Sequence, residues 1–306
     1  MILSASRRTD IPAFYSRWFY KRIEEGYLLV RNPMNAKQIS RVMLNPYIVD
    51  FIVFWTKNPE PFMKNIDKIN RYKYYFQFTL NPYDDSIEKN VPDKEHLIDI
   101  FMKLSGLIGK ERVVWRYDPI LLTRKIDKEY HYKCFNYLIE RLHKYTDKCI
   151  ISFLDLYSKT ERNTKSLGII PMGTNDMREI AFNFSLTAQK YNIPVETCAE
   201  RIDLSDMGIK RGKCIDDKMI SKIIGCDIAV EKDKAQREEC GCVKSIDIGS
   251  YNTCRHNCVY CYANFNEALV KRNFSFHDPD SPLLYGKLSF DDIIKDRFME
   301  SYVNIS

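Results

Sequence analysis

The chain has 306 residues, 45% hydrophobic and 29% charged, with a net charge of +6 from 47 basic and 41 acidic side chains. That length suffices for one large domain or two ordinary ones, and no window holds the roughly 18 uninterrupted apolar residues of a membrane helix. The start, MILSASRRTD, has neither the charged leader nor the apolar core of a signal peptide.

In chain order, MILSAS (1–6) reads as a first strand ending in Arg7, Arg8, Thr9 and Asp10. Pro12 suits the first turn of a helix that Gly26 stops. YLLVRN (27–32) is the second strand, and Asn35 caps a helix over AKQISRVML (36–44). DFIVFWT (50–56), YYFQFTL (74–80) and RVVWRYD (112–118) are the third, fourth and fifth strands, separated by helices over 59–70 and 93–107. The helix over 127–145 carries apolar or aromatic residues at 132, 135, 138, 139 and 142, the spacing of one helix face. CIISFLDL (149–156) and IPVETCAE (193–200) are the sixth and seventh strands, with a helix over 175–190 between them. A helix near 215–224 precedes VKSIDIG (243–249), the eighth strand.

Alternating strands and helices, with strands too apolar for one-sided exposure, predict a parallel sheet covered by helices. The expected fold class is α/β: a (β/α)8 barrel of the TIM type over residues 1–272, with a cysteine-rich region at 198–264 and a cluster loop after the last strand. Residues 273–306 read as an appendage packed on the barrel.

Active sites of such barrels lie at the C-terminal ends of the strands. Polar residues collect there: Arg7, Arg8 and Asp10; Lys57 and Asn58; Asn81; Arg116 and Asp118; Asp155; Glu196 and Glu200. Singly, each is as well explained by a solvated loop charge or an ion pair. Arg116 and Glu196 lie inside strand-like runs, where a charge is costly unless paired, and are the first choices for cofactor or ligand contacts. The mild positive charge suits a small-molecule or nucleotide-type substrate, and equally a lysine-rich solvated surface. The expected setting is cytoplasmic, with no membrane partner. In a reducing compartment ten cysteines point to metal ligation or catalysis over disulfides.

Eight of the ten cysteines fall between residues 198 and 261. CRHNCVYC places Cys254, Cys258 and Cys261 in one tight loop, close enough to converge on a metal centre. Soft thiolates select zinc, copper(I) or iron–sulfur clusters. A structural zinc site takes four ligands, whereas three cysteines suit a cubane cluster with one open iron. Cys198, Cys214, Cys240 and Cys242 are candidates for a second, fully ligated cluster, against a reading as buried small hydrophobes. Cys226 competes for a place in it, while Cys134 and Cys149 read as structural. His256 is expected to face solvent, and His131 to lie at a surface or boundary.

The CxxxCxxC pattern with Tyr260 before its last cysteine and Tyr262 after it resembles the cluster loop of radical S-adenosylmethionine (SAM) enzymes. The CxYCY wording is similar to that of spore photoproduct lyase. The resemblance implies a [4Fe-4S] cluster on Cys254, Cys258 and Cys261, with SAM on the open iron and an electron donor such as flavodoxin or ferredoxin. Here the loop follows the last strand, so the arrangement resembles a permuted one. Tyr260, Tyr262, Arg116 and Glu196 are then the positions expected to contact SAM or substrate. The chain has no GGE-like segment and no GxIxGxxE-like stretch, so no motif assigns contacts to the SAM amino group or adenine. The whole chain also resembles an uncharacterised prokaryotic family with an N-terminal SASRRTDIP and a C-terminal CGC…CxxxCxxCYAN signature. Two other readings stay open: an electron-transfer or redox-sensing cluster protein that uses no SAM, and a zinc-stabilised barrel that binds nucleic acid.

Overall fold

The structure, a computed structural model, describes residues 1–156 and 158–303. Its strands are β1 (Ile2–Ala5), β2 (Tyr27–Arg31), β3 (Gln38–Met43), β4 (Phe51–Thr56), β5 (Tyr74–Thr79), β6 (Val113–Ile120), β7 (Cys149–Phe153), β8 (Val195–Thr197), β9 (Lys210–Arg211), β10 (Ile246–Asp247) and β11 (Ile293–Asp296). Its helices are α1 (Ile11–Phe14), α2 (Ser16–Glu25), α3 (Glu60–Met63), α4 (Lys94–Ile108), α5 (Lys128–Leu142), α6 (Ser158–Thr164), α7 (Thr174–Gln189), α8 (Asp217–Ile224) and α9 (Glu267–Ser275). No helix among the described residues is long and apolar enough to cross a membrane.

Eight strands form one parallel sheet in the order β10-β1-β4-β5-β6-β7-β8-β9. The class is α/β, as the alternation predicts. The described residues form no closed sheet, however, because β9 and β10 do not pair. VKSIDIG contributes only two paired residues, Leu3 facing Ile246 and Ser4 facing Asp247. Two-residue edge strands offer too few hydrogen bonds to complete a ring. YLLVRN lies outside this sheet, and the short β9 occupies a place that no apolar run marked.

β2 pairs antiparallel with β3, and β11 lies parallel to β3 on its other side, making a separate three-stranded sheet. The predicted helix over 36–44 is therefore a strand, which is a correction. Ile39, Val42 and Met43 satisfy helical spacing, but two of them are β-branched and pack well on a pleated surface. Pairing of Leu28 with Val42 and Arg31 with Ile39 decides the matter. The segment after residue 272 brings β11 to this small sheet; its last three residues, 304–306, lie outside the described residues.

Side chains alternate across each parallel strand, and the two faces have different fates. Leu3, Phe54, Phe76 and Trp115 enter the large core with Phe101, Phe135 and Phe184 from the helices. Ile2, Val53 and Tyr75, at the alternate positions, enter a second core with Cys214, Cys240, Cys242 and Val243. The cysteine-bearing segment thus covers the face the helices leave open. His131, expected near the surface, is wholly buried: its Nε2 donates to the Leu121 carbonyl at 2.8 Å, and Nδ1 accepts from the Tyr117 hydroxyl at 2.7 Å. Burial accordingly pushes its pKa down to about 4.

Candidate metal centre

The loop after β10 is held at the C-terminal ends of the parallel strands. Asp247, the last residue of β10, accepts from Ser4 Oγ (2.8 Å), Ser6 Oγ (2.6 Å) and the backbone N–H groups of Arg7 and Gly249 (both 3.0 Å). A carboxylate between Ile246 and Ile248 is the sequence signal for this clamp. Gly249 approaches β1 so closely that a Cβ there would stand 2.6 Å from Ser6 Cβ. Beyond it, the Tyr15 hydroxyl donates to the Thr253 carbonyl at 2.7 Å and the Tyr262 hydroxyl to the Arg7 carbonyl at 2.8 Å.

Cys254, Cys258 and Cys261 stand in this loop, all as free thiols. The Cys261 N–H bonds the Cys258 carbonyl at 3.1 Å, closing the turn between them. Asn264 Nδ2 donates to the Cys254 carbonyl at 2.7 Å, and its Oδ1 is buried with no partner among the described residues. The turn needs a left-handed residue at Asn257 (φ 51°), a conformation asparagine tolerates. His256 does not face solvent: it is buried and bonds Asp10 Oδ2 at 2.8 Å, correcting the expectation. The same Asp10 oxygen accepts the Lys57 N–H at 2.7 Å, and Oδ1 caps α1 through Ala13 N–H at 2.9 Å.

Beneath the loop lies a buried polar cluster. Lys57 Nζ is 2.7 Å from Glu88 Oε1, Lys94 Nζ reaches Glu88 Oε2, and Asn81 Nδ2 donates to Glu88 Oε1 at 3.2 Å. The Tyr260 hydroxyl donates to the same carboxylate, and Lys57 Nζ lies 5.6 Å from the Tyr260 ring centre. Burial alone raises the Glu88 carboxyl, but Lys57 and then Lys94 outweigh it and hold it down at about 2. Burial lowers the Lys57 ammonium, yet Glu88 and Cys258 more than restore it, so it stays charged.

The three thiols are all pushed up. Burial dominates for each, with Cys261 and Cys258 adding repulsion at Cys254. Cys258 rises to about 12 despite Lys57 beside it. Such thiols keep their protons until a soft cation displaces them, which is how thiolate metal sites couple to protonation. Their number and chemistry fit a three-cysteine cluster site. Among the described residues no three His, Cys, Asp or Glu side chains already stand in ligating geometry around one point.

The other expected contacts fall elsewhere. Arg116 is buried, ion-paired with Asp118, and donates from Nη1 to Cys214 Sγ at 2.8 Å. Glu196 pairs with Lys148 at 3.0 Å, which also holds Asp216. These three line a cleft of about 320 Å³ that includes Val113 and Val114 and no cysteine. Tyr260 is 9% exposed and Tyr262 48%. Cys198, Cys214, Cys240 and Cys242 gather on the second face of the sheet, with Cys198 and Cys214 sulfurs 3.0 Å apart. Cys226 is exposed, Cys149 buried and Cys134 half-buried. Glu200, one of the polar residues expected at the strand ends, accepts the Phe153 N–H at 2.8 Å and is pushed up to about 7, first by burial and then by Asp155 and Asp118.

No curated protein sequence matches the chain. A solved structure from Bacteroides thetaiotaomicron VPI-5482, given as a candidate alpha-L-fucosidase, is similar at 15% identity over 60% of this chain and 76% of that one; its TM-score of 0.21 carries no argument. The Domain of unknown function (DUF1848) model matches residues 2–263, nearly the whole parallel sheet together with the cysteine loop, and the chain belongs to that family.

Proposed function

We propose that this chain is an iron–sulfur enzyme of radical-SAM-like chemistry on a barrel-type scaffold, with Cys254, Cys258 and Cys261 as the ligands of a [4Fe-4S] cluster. The observation that carries this is the placement of three half-buried thiols in one loop, beside a charged lysine, at the C-terminal ends of parallel strands. A cluster with one open iron, reduced by flavodoxin or ferredoxin, supplies the electron for reductive cleavage of SAM.

The chain's own residues position and insulate. Lys57 holds positive charge beside Cys258, which favours its thiolate. Glu88 keeps Lys57 charged and fixes Tyr260 under the loop. Tyr262, half-exposed at the rim with its hydroxyl on the Arg7 carbonyl, is the aromatic face available to SAM or substrate. The substrate class consistent with the mild positive charge is a small molecule or nucleotide.

The test is iron and sulfide content after anaerobic purification, then electron paramagnetic resonance of the reduced protein with and without SAM. The reading expects a cluster signal that SAM alters, 5′-deoxyadenosine as product, and loss of that cluster on combined substitution of Cys254, Cys258 and Cys261 by serine. An iron signal indifferent to SAM reduces the protein to an electron-transfer or sensing module. Zinc in place of iron at this loop overturns the reading.

A further inference from the structure

We infer that Cys198, Cys214, Cys240 and Cys242 form a second metal site, separate from the loop at 254–261, that takes a thiophilic metal as one tetrahedral ion or as a fully ligated cluster. The four residues are far apart in sequence and converge on the second face of the sheet. Cys198 follows β8, Cys214 follows β9, and Cys240 and Cys242 precede β10. Cys198 and Cys214 sulfurs are 3.0 Å apart, and Cys214, Cys240 and Cys242 lie in one buried cluster with Cys198 packed against it.

The surroundings favour thiolates. Cys242 Sγ accepts the backbone N–H groups of Cys214 (3.2 Å) and Ile215 (3.4 Å), a pattern that stabilises anionic sulfur. Arg116 Nη1 donates to Cys214 Sγ at 2.8 Å. The Arg7 guanidinium stands within electrostatic reach of Cys242 and Cys214, and its Nη2 is buried with no hydrogen-bond partner among the described residues. Arg116 also pairs with Asp118 and Arg7 lies over the Trp55 ring, but both guanidinium groups stand beside the sulfurs, an environment that suits thiolates better than plain hydrophobes. The Cys214 carbonyl is clamped to the sheet by the Tyr75 hydroxyl (2.5 Å) and Gln77 Nε2 (2.9 Å), so the segment is held in place before any ion arrives.

Seating one ion requires Cys198 and Cys214 sulfurs to open from 3.0 Å to about 3.8 Å, the spacing in a tetrahedron with metal–sulfur bonds of about 2.3 Å. That is a side-chain adjustment. The bound metal would tie residues 198, 214 and 240–242 together across the gap between β9 and β10, which do not pair as strands among the described residues.

The experiment uses the full chain carrying Cys254→Ser, Cys258→Ser and Cys261→Ser, which removes the first site. After anaerobic purification, metal analysis should find about one zinc per chain, or about four irons with matching sulfide, and adding Cys198→Ser and Cys242→Ser should remove it. The reciprocal protein, with only Cys198→Ser and Cys242→Ser, should keep the metal of the 254–261 loop if that site is real, so each site can fail alone. Cobalt(II) titration of the metal-stripped triple variant avoids dependence on further mutations: a tetrahedral tetrathiolate spectrum saturating near one equivalent is expected. A triple variant that is folded by circular dichroism yet takes up no zinc, cobalt or iron with sulfide overturns the inference. So does mass spectrometry finding a Cys198–Cys214 disulfide in anaerobically purified protein.

Discussion

Lys57 Nζ lies 2.7 Å from Glu88 Oε1, and the two side chains are 13% and 1% exposed, so the loop that bears Cys258 rests on a buried ion pair. Lys94, Asn81 and Tyr260 complete the carboxylate's partners. Removing one member of such a pair leaves the other charge buried and uncompensated, which costs about 3–5 kcal/mol.

Glu88→Gln should therefore lower unfolding free energy by about that amount in urea titrations at neutral pH. The wild type should also lose stability as pH falls from about 4.5, the free carboxyl value, toward the folded value of about 2. The folded carboxyl is depressed, so the unfolded chain binds the extra proton in that window. The variant should lose less stability than the wild type across that window, since Asp118 and other depressed carboxyls still titrate there, and an equally steep acid loss in both proteins would refute the ion pair's role.

Glu200 should behave in the opposite sense. Its folded carboxyl is raised from 4.5 to about 7, so the native state binds the extra proton between those values and stability falls as pH rises through them. Glu200→Gln should flatten this contribution and raise the melting temperature relative to wild type at pH 8 more than at pH 4. Identical differences at both pH values would show that Glu200 titrates normally.

Gly249→Ala should destabilise by about 1–3 kcal/mol through overpacking, because the added Cβ meets Ser6 Oγ and Cβ at the joint between β1 and β10. Since Ser6 also holds Asp247, metal uptake at the 254–261 loop should fall with stability. Calorimetry and iron analysis on the same sample check this; unchanged stability would mean that β10 does not dock as described.

Asp10→Ala removes the α1 cap and the acceptor shared by His256 and the Lys57 N–H. A cap deletion costs about 0.5–2 kcal/mol. The further loss of the His256 anchor should raise amide exchange across residues 254–258 more than in α5. Uniform exchange changes across the chain would contradict a local anchoring role.

Much of the sheet was readable because buried parallel strands are apolar on both faces. FIVFWT, YYFQFTL and the VVW centre of RVVWRYD are apolar at successive positions, as strands buried on both faces are. The clustering of eight cysteines near one end of the chain was likewise plain, as was the CxxxCxxC spacing that set three of them in one loop. One edge was not readable: Lys210–Arg211 is a strand only because β8 offers hydrogen bonds, and VKSIDIG, expected as a full strand, pairs over Ile246–Asp247 alone. For the same reason AKQISRVML, whose spacing suits a helix, lies flat against β2 as a strand.

Local pattern determined which segments would be strands and which residues bear sulfur, because burial periodicity and ligand spacing are short-range properties. Only tertiary packing decided that Arg116 serves Cys214, that Glu196 serves Lys148, and that Lys57 and Glu88 meet beneath the cysteine loop. A buried charge takes its partner from whichever strand end lies nearest in space, and sequence separation carries no record of that distance.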